Sequence, residues 1–214
     1  MARTAGSDGE KTLASIREHA LDLIARRGYE AVTMRELAAA VGVQAAALYR
    51  YFPTKEELLF SLMDEHMRDL IASWEAARPR SGDALDALSA FVRHHVAFHV
   101  GRRHSTHVSN MELRALSPER LTAILKMRST YEKDLRRILR EGADARLLSI
   151  SDVALTTMAI IQMITGVIVW FRPDERLSVD DIAETYVTMT LRLVGAPTAR
   201  EKSHVPPLDV LRTA

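Results

Sequence analysis

The chain has 214 residues, of which 47% are apolar, 29 are Lys or Arg, 28 are Asp or Glu, and none is Cys. That length can bury a core without a disulfide or a metal, and the missing thiols exclude a disulfide framework, a thiolate zinc site, an iron–sulfur cluster and a cysteine nucleophile. The net charge of +1 hides a cancellation: residues 1–55 carry 8 basic and 6 acidic side chains, 56–101 carry 4 and 8, 102–146 carry 11 and 6, and 147–214 carry 6 and 8.

Sustained period-2 alternation is absent, and the β-branched residues fall within stretches of 3.6 periodicity, so the expected fold is all-α. A first helix is predicted over 11–27, with Ile16, Ala20, Leu23 and Ile24 on one face and Gly28 where a C-cap belongs. Thr33 to Glu36 reads as a capping box opening a second helix that ends at Gly42. A third covers 44–51 and stops before Pro53, and a second capping box, Thr54 to Glu57, opens a long helix to about Ala77. After the break at Pro79, Ser81 and Gly82, a helix over 84–102 carries Leu88, Phe91, His95, Phe98 and Arg102 on one stripe. A shorter segment over 105–115 follows. Ser117 and Pro118 then suit the N-cap and first position of a helix to about Arg140. The stretch 151–171 is nearly apolar all round and is expected to end at Pro173. A last helix spans 178–193, and Pro197, Pro206 and Pro207 mark an unstructured tail. The N-terminus lacks the apolar core of a secretory signal, which sets the expectation of a cytoplasmic protein.

Two short helices joined at Gly42 and Val43, preceded by a helix, meet the requirements of a helix-turn-helix. Leu48 and Phe52, four apart, should face inward, leaving Gln44, Ala45, Tyr49 and Lys55 outward. Ala45 and Ala46 permit close approach to a groove and contact with a thymine methyl. No acid occurs from Gly42 to Lys55. An ordinary helical hairpin in a bundle has the same spacing.

The runs AVTMRELAAAVGV at 31–43 and LYRYFPTKEELL at 48–59 resemble the DNA-binding domain of the TetR family of transcriptional regulators, over about 11–62. The resemblance implies a three-helix DNA-binding domain at 1–60, a helical ligand-binding and dimerisation domain at 61–195 and a flexible tail at 196–214. It implies that Thr33 donates to a phosphate, that Gln44 and Tyr49 enter the major groove, and that Tyr51 and Lys55 touch backbone; Arg35 is added as a further contact. Where the family commonly has Ser, Arg or Lys, Gly or Pro, and Thr, this chain has Gln44, Ala45, Ala46 and Ala47, so fewer phosphate contacts and a shallower salt dependence are expected.

Beyond the DNA-binding segment, 153–171 approaches the length of a membrane span, but Thr156, Thr157, Gln162, Thr165 and Gly166 interrupt it and no asymmetry of flanking charge accompanies it. A helix apolar on all sides within a soluble chain is expected to be buried by its own domain and a second subunit. The family resemblance likewise assigns the last two long helices to a four-helix homodimer interface. Gln162, Thr165 and Arg172 fall on one face of this segment with Met158 and Val169, a row that suits a cavity lining or locally bonded groups. On the helix after Pro118 the stripe is Leu121, Ile124, Leu125, Tyr131, Leu135, Ile138 and Leu139, and Arg128 completes it. A charge there needs a partner. Glu132 supplies one at i,i+4 spacing, and an anionic ligand is the alternative, with Arg102 and Arg103 in support.

The segments VSNMELRALSPE at 108–119 and WFRP at 170–173, ahead of Leu177 and Ser178, resemble acyl-CoA-responsive TetR repressors of fatty-acid and steroid-ring catabolism. That resemblance implies a long apolar pocket with basic residues near the coenzyme phosphates. The candidate effector contacts are Phe98, Arg102, Arg103, Asn110, Arg128, Tyr131, Gln162, Thr165, Trp170 and Arg172.

Five of the eight histidines lie at His94, His95, His99, His104 and His107, and His95 with His99 has metal-holding i,i+4 spacing. No Asp or Glu occurs between Asp86 and Glu112, so a metal there would need imidazoles alone or distant carboxylates. No Gly-rich phosphate loop, nucleophile elbow or carboxylate pair suggests an enzyme. The expectation is a ligand-responsive repressor that binds a palindromic operator as a homodimer and is released by an acyl-CoA, without resident cofactor or metal. The rival is a TetR-type sensor of a metal or drug that uses the histidine cluster or an apolar pocket.

Overall fold

A computed structural model describes residues 5–172 and 176–196. The described residues form helices α1 (Ala5–Arg27), α2 (Met34–Val41), α3 (Ala45–Tyr51), α4 (Lys55–Ala77), α5 (Ala84–Gly101), α6 (Arg103–Met111), α7 (Pro118–Asp144), α8 (Val153–Thr165), α9 (Val167–Trp170) and α10 (Val179–Leu193), with a 3-10 turn at Leu113–Ala115. No strand occurs among the described residues, as the 3.6 periodicity implies.

The predicted boundaries hold where local chemistry sets them. Thr33 accepts from the Glu36 amide while the Glu36 side chain accepts from the Thr33 amide, closing the box that starts α2. Thr54 and Glu57 do the same before α4, at 3.0 and 3.1 Å, and Ser178 with Asp181 before α10. Gly28 and Gly42 take left-handed φ of 81° and 77°, a conformation that L side chains rarely adopt. Other boundaries move. α1 begins at Ala5, six residues before the expected start, and α7 runs to Asp144. The apolar helix expected over 151–171 begins after Asp152, whose side chain caps the Ala154 and Leu155 amides, and is divided at Gly166. There Val169 donates to Gly166 at i,i+3 spacing, so the turn tightens where glycine weakens the helix. The stop at Pro173 and the prolines at 197, 206 and 207 lie outside the described residues.

The chain folds as two compact units. The first contains α1 to α4 up to Ala76, together with Phe98–Tyr131, which brings in the end of α5, all of α6 and the start of α7. Its interior holds Ile16, Ala20, Ile24, Leu37, Leu48, Leu59 and Met63, all essentially inaccessible, and α1 packs on α2 and α6. The helix-turn-helix face expected inward is buried, including Phe52. On α7 the inward stripe keeps Ile124 and Tyr131, whereas Leu125 is exposed.

The second unit contains Ala77–Ala97 and the described residues from Glu132 onward. Leu88, Phe91, Leu135, Leu139, Ile160 and Ile164 are buried within it. Arg93 grips Glu184 with both arms of its guanidinium, the second bond measuring 2.9 Å, and the Ser149 amide donates to the Val194 carbonyl at 2.8 Å. The α8–α9 segment is not buried all round within the chain. Thr157, Ile160, Ile164, Val167, Ile168 and Phe171 face the interior, while Leu155, Met158, Gln162, Val169 and Trp170 are exposed. Val153–Trp170 has the length and hydropathy of a membrane span with 28% of it buried, and a one-sided apolar helix of a soluble protein gives the same signal.

Candidate DNA-reading surface and effector site

α3 is short because its start and end are both set locally. Gln44 stands at its N-cap with extended backbone and no side-chain capping bond, leaving the amide group outward, and the chain leaves the helix at Phe52 ahead of Pro53. Gln44, Ala46, Tyr49 and Arg50 are exposed, and Ala45 and Tyr51 are half-buried. The outer surface of α3 is therefore an amide, two small residues, a phenol and a guanidinium. Arg50 did not figure among the expected contacts, although its four-residue spacing from Ala46 was readable. Tyr49 is 48% exposed, unusual for an aromatic side chain of an otherwise well-packed unit.

The expected phosphate contacts are more engaged. The Thr33 hydroxyl donates to Glu36 Oε2 at 2.8 Å, and Glu36 also accepts from Arg27 at 3.0 Å. The Thr33 amide and hydroxyl, followed by Arg27, hold the Glu36 carboxyl down to about 2. Lys55 places its ammonium 4.0 Å above the Tyr29 ring and 3.5 Å from the Glu30 carbonyl. Arg35 is exposed.

The candidate effector residues divide between the two units. In the first, Arg128 donates to the Ser109 carbonyl at 2.6 Å and to Asn110 Oδ1 at 2.8 Å. Glu132, the neighbour of Arg128 in helical spacing, accepts from Arg136 at 3.2 Å, and Arg128 reaches across to the C-terminal end of α6. Such a contact between residues 19 apart leaves no trace in helical spacing. Phe98 and Tyr131 are buried, and the Arg102 guanidinium lies 4.3 Å above the Phe98 ring. Beside Phe98 stand two residues that were not expected at the site, His66 and His99, buried with ring centroids 5.8 Å apart. His66 shares a 3.1 Å hydrogen bond with the Ser105 hydroxyl. Burial, then the charges of His99, Arg128 and Arg102, push the His66 ring down to about 3. A cleft of about 660 Å³ runs between α1 and the α5–α6 corner, bordered by His19, Asp22, Arg26, Arg102, Arg103, His104 and Ser105.

In the second unit the row of Gln162, Thr165 and Arg172 separates. Thr165 points inward and shares a 2.8 Å bond with His95 Nε2. Gln162 and Trp170 are exposed beside Met158 and Val169, and Arg172 donates to the Phe171 carbonyl at 3.0 Å. The histidines likewise have separate partners: His95 meets Thr165, His99 stacks edge-on to His66, and His104 lies 3.8 Å from Asp22. Among the described residues no three His, Asp or Glu side chains form a group that could hold a metal.

Comparison with known proteins agrees with this geometry. Residues 16–62 match the family model of bacterial regulatory proteins of the tetR family, and residues 81–194 match the tetracyclin repressor-like C-terminal domain. A tetR-family regulatory protein from Rhodococcus RHA1 superposes with a TM-score of 0.83 at 34% identity, over 87% of this chain and 98% of that one. The transcriptional repressor KstR2 of Rhodococcus jostii is 24% identical over 91% of this chain and 95% of its own. AibR, in complex with isovaleryl coenzyme A and operator DNA, superposes with a TM-score of 0.77 at 27% identity, over 83% of this chain and 97% of that one.

Proposed function

The chain belongs to the TetR family of DNA-binding transcriptional regulators, and on that premise we propose that it is a cytoplasmic homodimeric repressor released from a palindromic operator by an acyl-CoA. The observation that carries the effector class is the buried basic and polar cluster around Arg128, His66 and His99, found in a chain similar over most of its length to a regulator that takes isovaleryl coenzyme A together with operator DNA. A half-buried guanidinium beside buried imidazoles and apolar side chains suits an anionic ligand with an apolar body.

Dimerisation is supported by the open face of the second unit. Leu155, Met158, Val169 and Trp170 on α8 and α9, and Met189 and Leu193 on α10, are all more than two-fifths exposed, and so many open large apolar side chains in one unit favour a covering partner. Pairing this face with its copy in a second chain makes a two-fold interface, and a two-fold protein reads a palindrome with one α3 in each half-site. Half-site spacing must match the separation of the two α3 helices. An effector that favours a differently spaced dimer therefore lowers operator affinity without touching a DNA-reading residue.

A path for that coupling runs within the first unit. Arg128 holds the end of α6, Glu112 just beyond it accepts from the Tyr29 amide at 3.1 Å, and Glu56 at the start of α4 accepts from the Ser117 amide at 2.7 Å. Both of the latter bonds tie the α6–α7 connection to the segments that flank α2 and α3, the turn after α1 and the start of α4. The deciding experiment titrates the protein–operator complex with a long-chain acyl-CoA, the free fatty acid and Zn²⁺. Release by the acyl-CoA alone is expected; release by Zn²⁺ alone would overturn the reading.

A further inference from the structure

α6 is unusual for a buried helix. Val108, Thr106 and Ser109 are its buried side chains, and Arg103, Ser105, His107 and Asn110 are half-buried; four of these seven, Ser105, Thr106, Ser109 and Asn110, are small uncharged polar residues. Thr106 is 0% exposed and Ser109 2%. Burying hydroxyls in this way is unfavourable unless each finds a partner. Three of the four do: Ser105 bonds His66, Thr106 lies 3.4 Å from the His99 carbonyl, and Asn110 accepts from Arg128. The Ser109 hydroxyl does not; it is sealed from solvent with no hydrogen-bond partner, next to the carbonyl that Arg128 grips. The groups whose charge lowers His66 are the basic side chains His99 on α5, Arg128 on α7 and Arg102 at the α5–α6 corner. Asp69, 3.8 Å from Arg102, is exposed.

We propose that the effector's acyl group ends in a carboxylate, seated against α6 by the Arg128 guanidinium and the Ser109 hydroxyl, on the helix whose Ser105 and Thr106 meet His66 and His99. This deepens the acyl-CoA reading and rests on it for the rest of the ligand. A plain alkyl end at this place would leave the Ser109 hydroxyl unsatisfied and surround a guanidinium and two imidazoles with hydrocarbon. A carboxylate accepts from the Arg128 fork and from the Ser109 O–H together, and its charge is matched by that guanidinium. In accepting from Arg128 it competes with the Ser109 carbonyl and Asn110, so seating it loosens the hold on the end of α6 that Glu112 passes to Tyr29.

The test compares hexanoyl-CoA with adipoyl-CoA, its ω-carboxylated counterpart of equal length, alongside free coenzyme A and free adipate. Binding is read by calorimetry and operator release by fluorescence anisotropy, on wild type, Ser109→Ala and Arg128→Met. Adipoyl-CoA is expected to bind at least tenfold more tightly than hexanoyl-CoA. Ser109→Ala, which removes one buried oxygen without a partner and should melt no lower than wild type, is expected to weaken adipoyl-CoA and so shrink that ratio several-fold. Equal or tighter binding of hexanoyl-CoA overturns the carboxylate and leaves the acyl-CoA reading standing. Free coenzyme A binding as tightly as adipoyl-CoA overturns it too, since the oxyanion recognised is then a phosphate. Free adipate releasing operator while neither thioester does so keeps the carboxylate seat and sinks the acyl-CoA reading. If no probe binds, both fall.

Discussion

The backbone amide of Tyr29, in the turn that leaves α1, donates to the side chain of Glu112, at the end of α6, across 3.1 Å and 83 residues of sequence. Gly28 sits beneath the same carboxylate in a left-handed conformation, and a Cβ there would come within 3.8 Å of Glu112 Oε1. A charged acceptor on a part-buried amide is a stronger tie than a neutral hydrogen bond. Glu112→Ala should lower stability by about 1–2 kcal/mol and Glu112→Gln by less, because the amide oxygen still accepts. If the bond also transmits the effector signal, Glu112→Ala will need more acyl-CoA to release the same fraction of operator. Paired melting curves and anisotropy titrations on the two variants separate these effects.

Tyr49 and Arg50 are exposed neighbours on α3 and should fail in different ways when removed. Tyr49→Ala takes a flat side chain from the exposed surface of α3 and, on the proposed reading role, should cost operator affinity by about 1–3 kcal/mol, with little loss on unrelated DNA. Arg50→Ala removes a cation and should weaken all sequences alike, reducing the slope of log affinity against log salt by about 1 per half-site. A Tyr49→Ala variant that binds a mapped operator as tightly as wild type would remove α3 from the reading role.

Helices α2 and α3 are legible in the sequence because their boundaries are local. A Thr and a Glu three residues apart satisfy each other's amides wherever they fall, and Gly42 at the turn takes the φ that other residues avoid. The effector site was legible only in part. The periodicity of α7 placed Arg128 on an inward stripe, but not its partner, since Ser109 and Asn110 belong to another helix and Glu132 was the nearest acid in helical spacing. His66 was missed because a lone histidine on an apolar face resembles any other buried ring. Gln162 and Thr165 lie three residues apart on α8, at the edge of its buried face, and spacing alone does not tell which of two such neighbours bonds His95 and which stays in solvent.

The open face of α8 to α10 gives a prediction about assembly. Met158 and Val169 are 51% and 72% exposed, so a carboxylate at either position is close to neutral for folding of the single chain, within about 0.5 kcal/mol. In a two-fold interface the same substitution buries an unpaired charge in each of two chains. Met158→Glu and Val169→Glu should therefore yield folded monomers by light scattering, with unchanged circular dichroism and lost operator binding. Variants that remain dimeric would place the interface elsewhere.

His66 makes acid stability a test of the buried cluster. Its ring is held neutral, down to about 3 from the usual 6.5, chiefly by burial and then by the cations of His99, Arg128 and Arg102. The unfolded chain takes up that proton below about pH 6.5 while the folded chain refuses it until about pH 3. Stability is therefore fully present above the unfolded value and is lost as pH falls through this window, by an amount on the order of several kcal/mol in total. The depressed Glu36 carboxyl acts in the same direction at lower pH, between 4.5 and about 2. His66→Phe keeps an aromatic ring against Phe98, 5.5 Å away in the wild type, and removes the titrating group, at the loss of the bond to Ser105. Between pH 4.5 and 6.5 the unfolding free energy of wild type should fall steeply and that of His66→Phe more gently, so the difference between them narrows on acidification. Parallel curves for the two proteins would show that His66 carries its proton in the folded state, and with it that the ring lies in a wetter place than its burial implies.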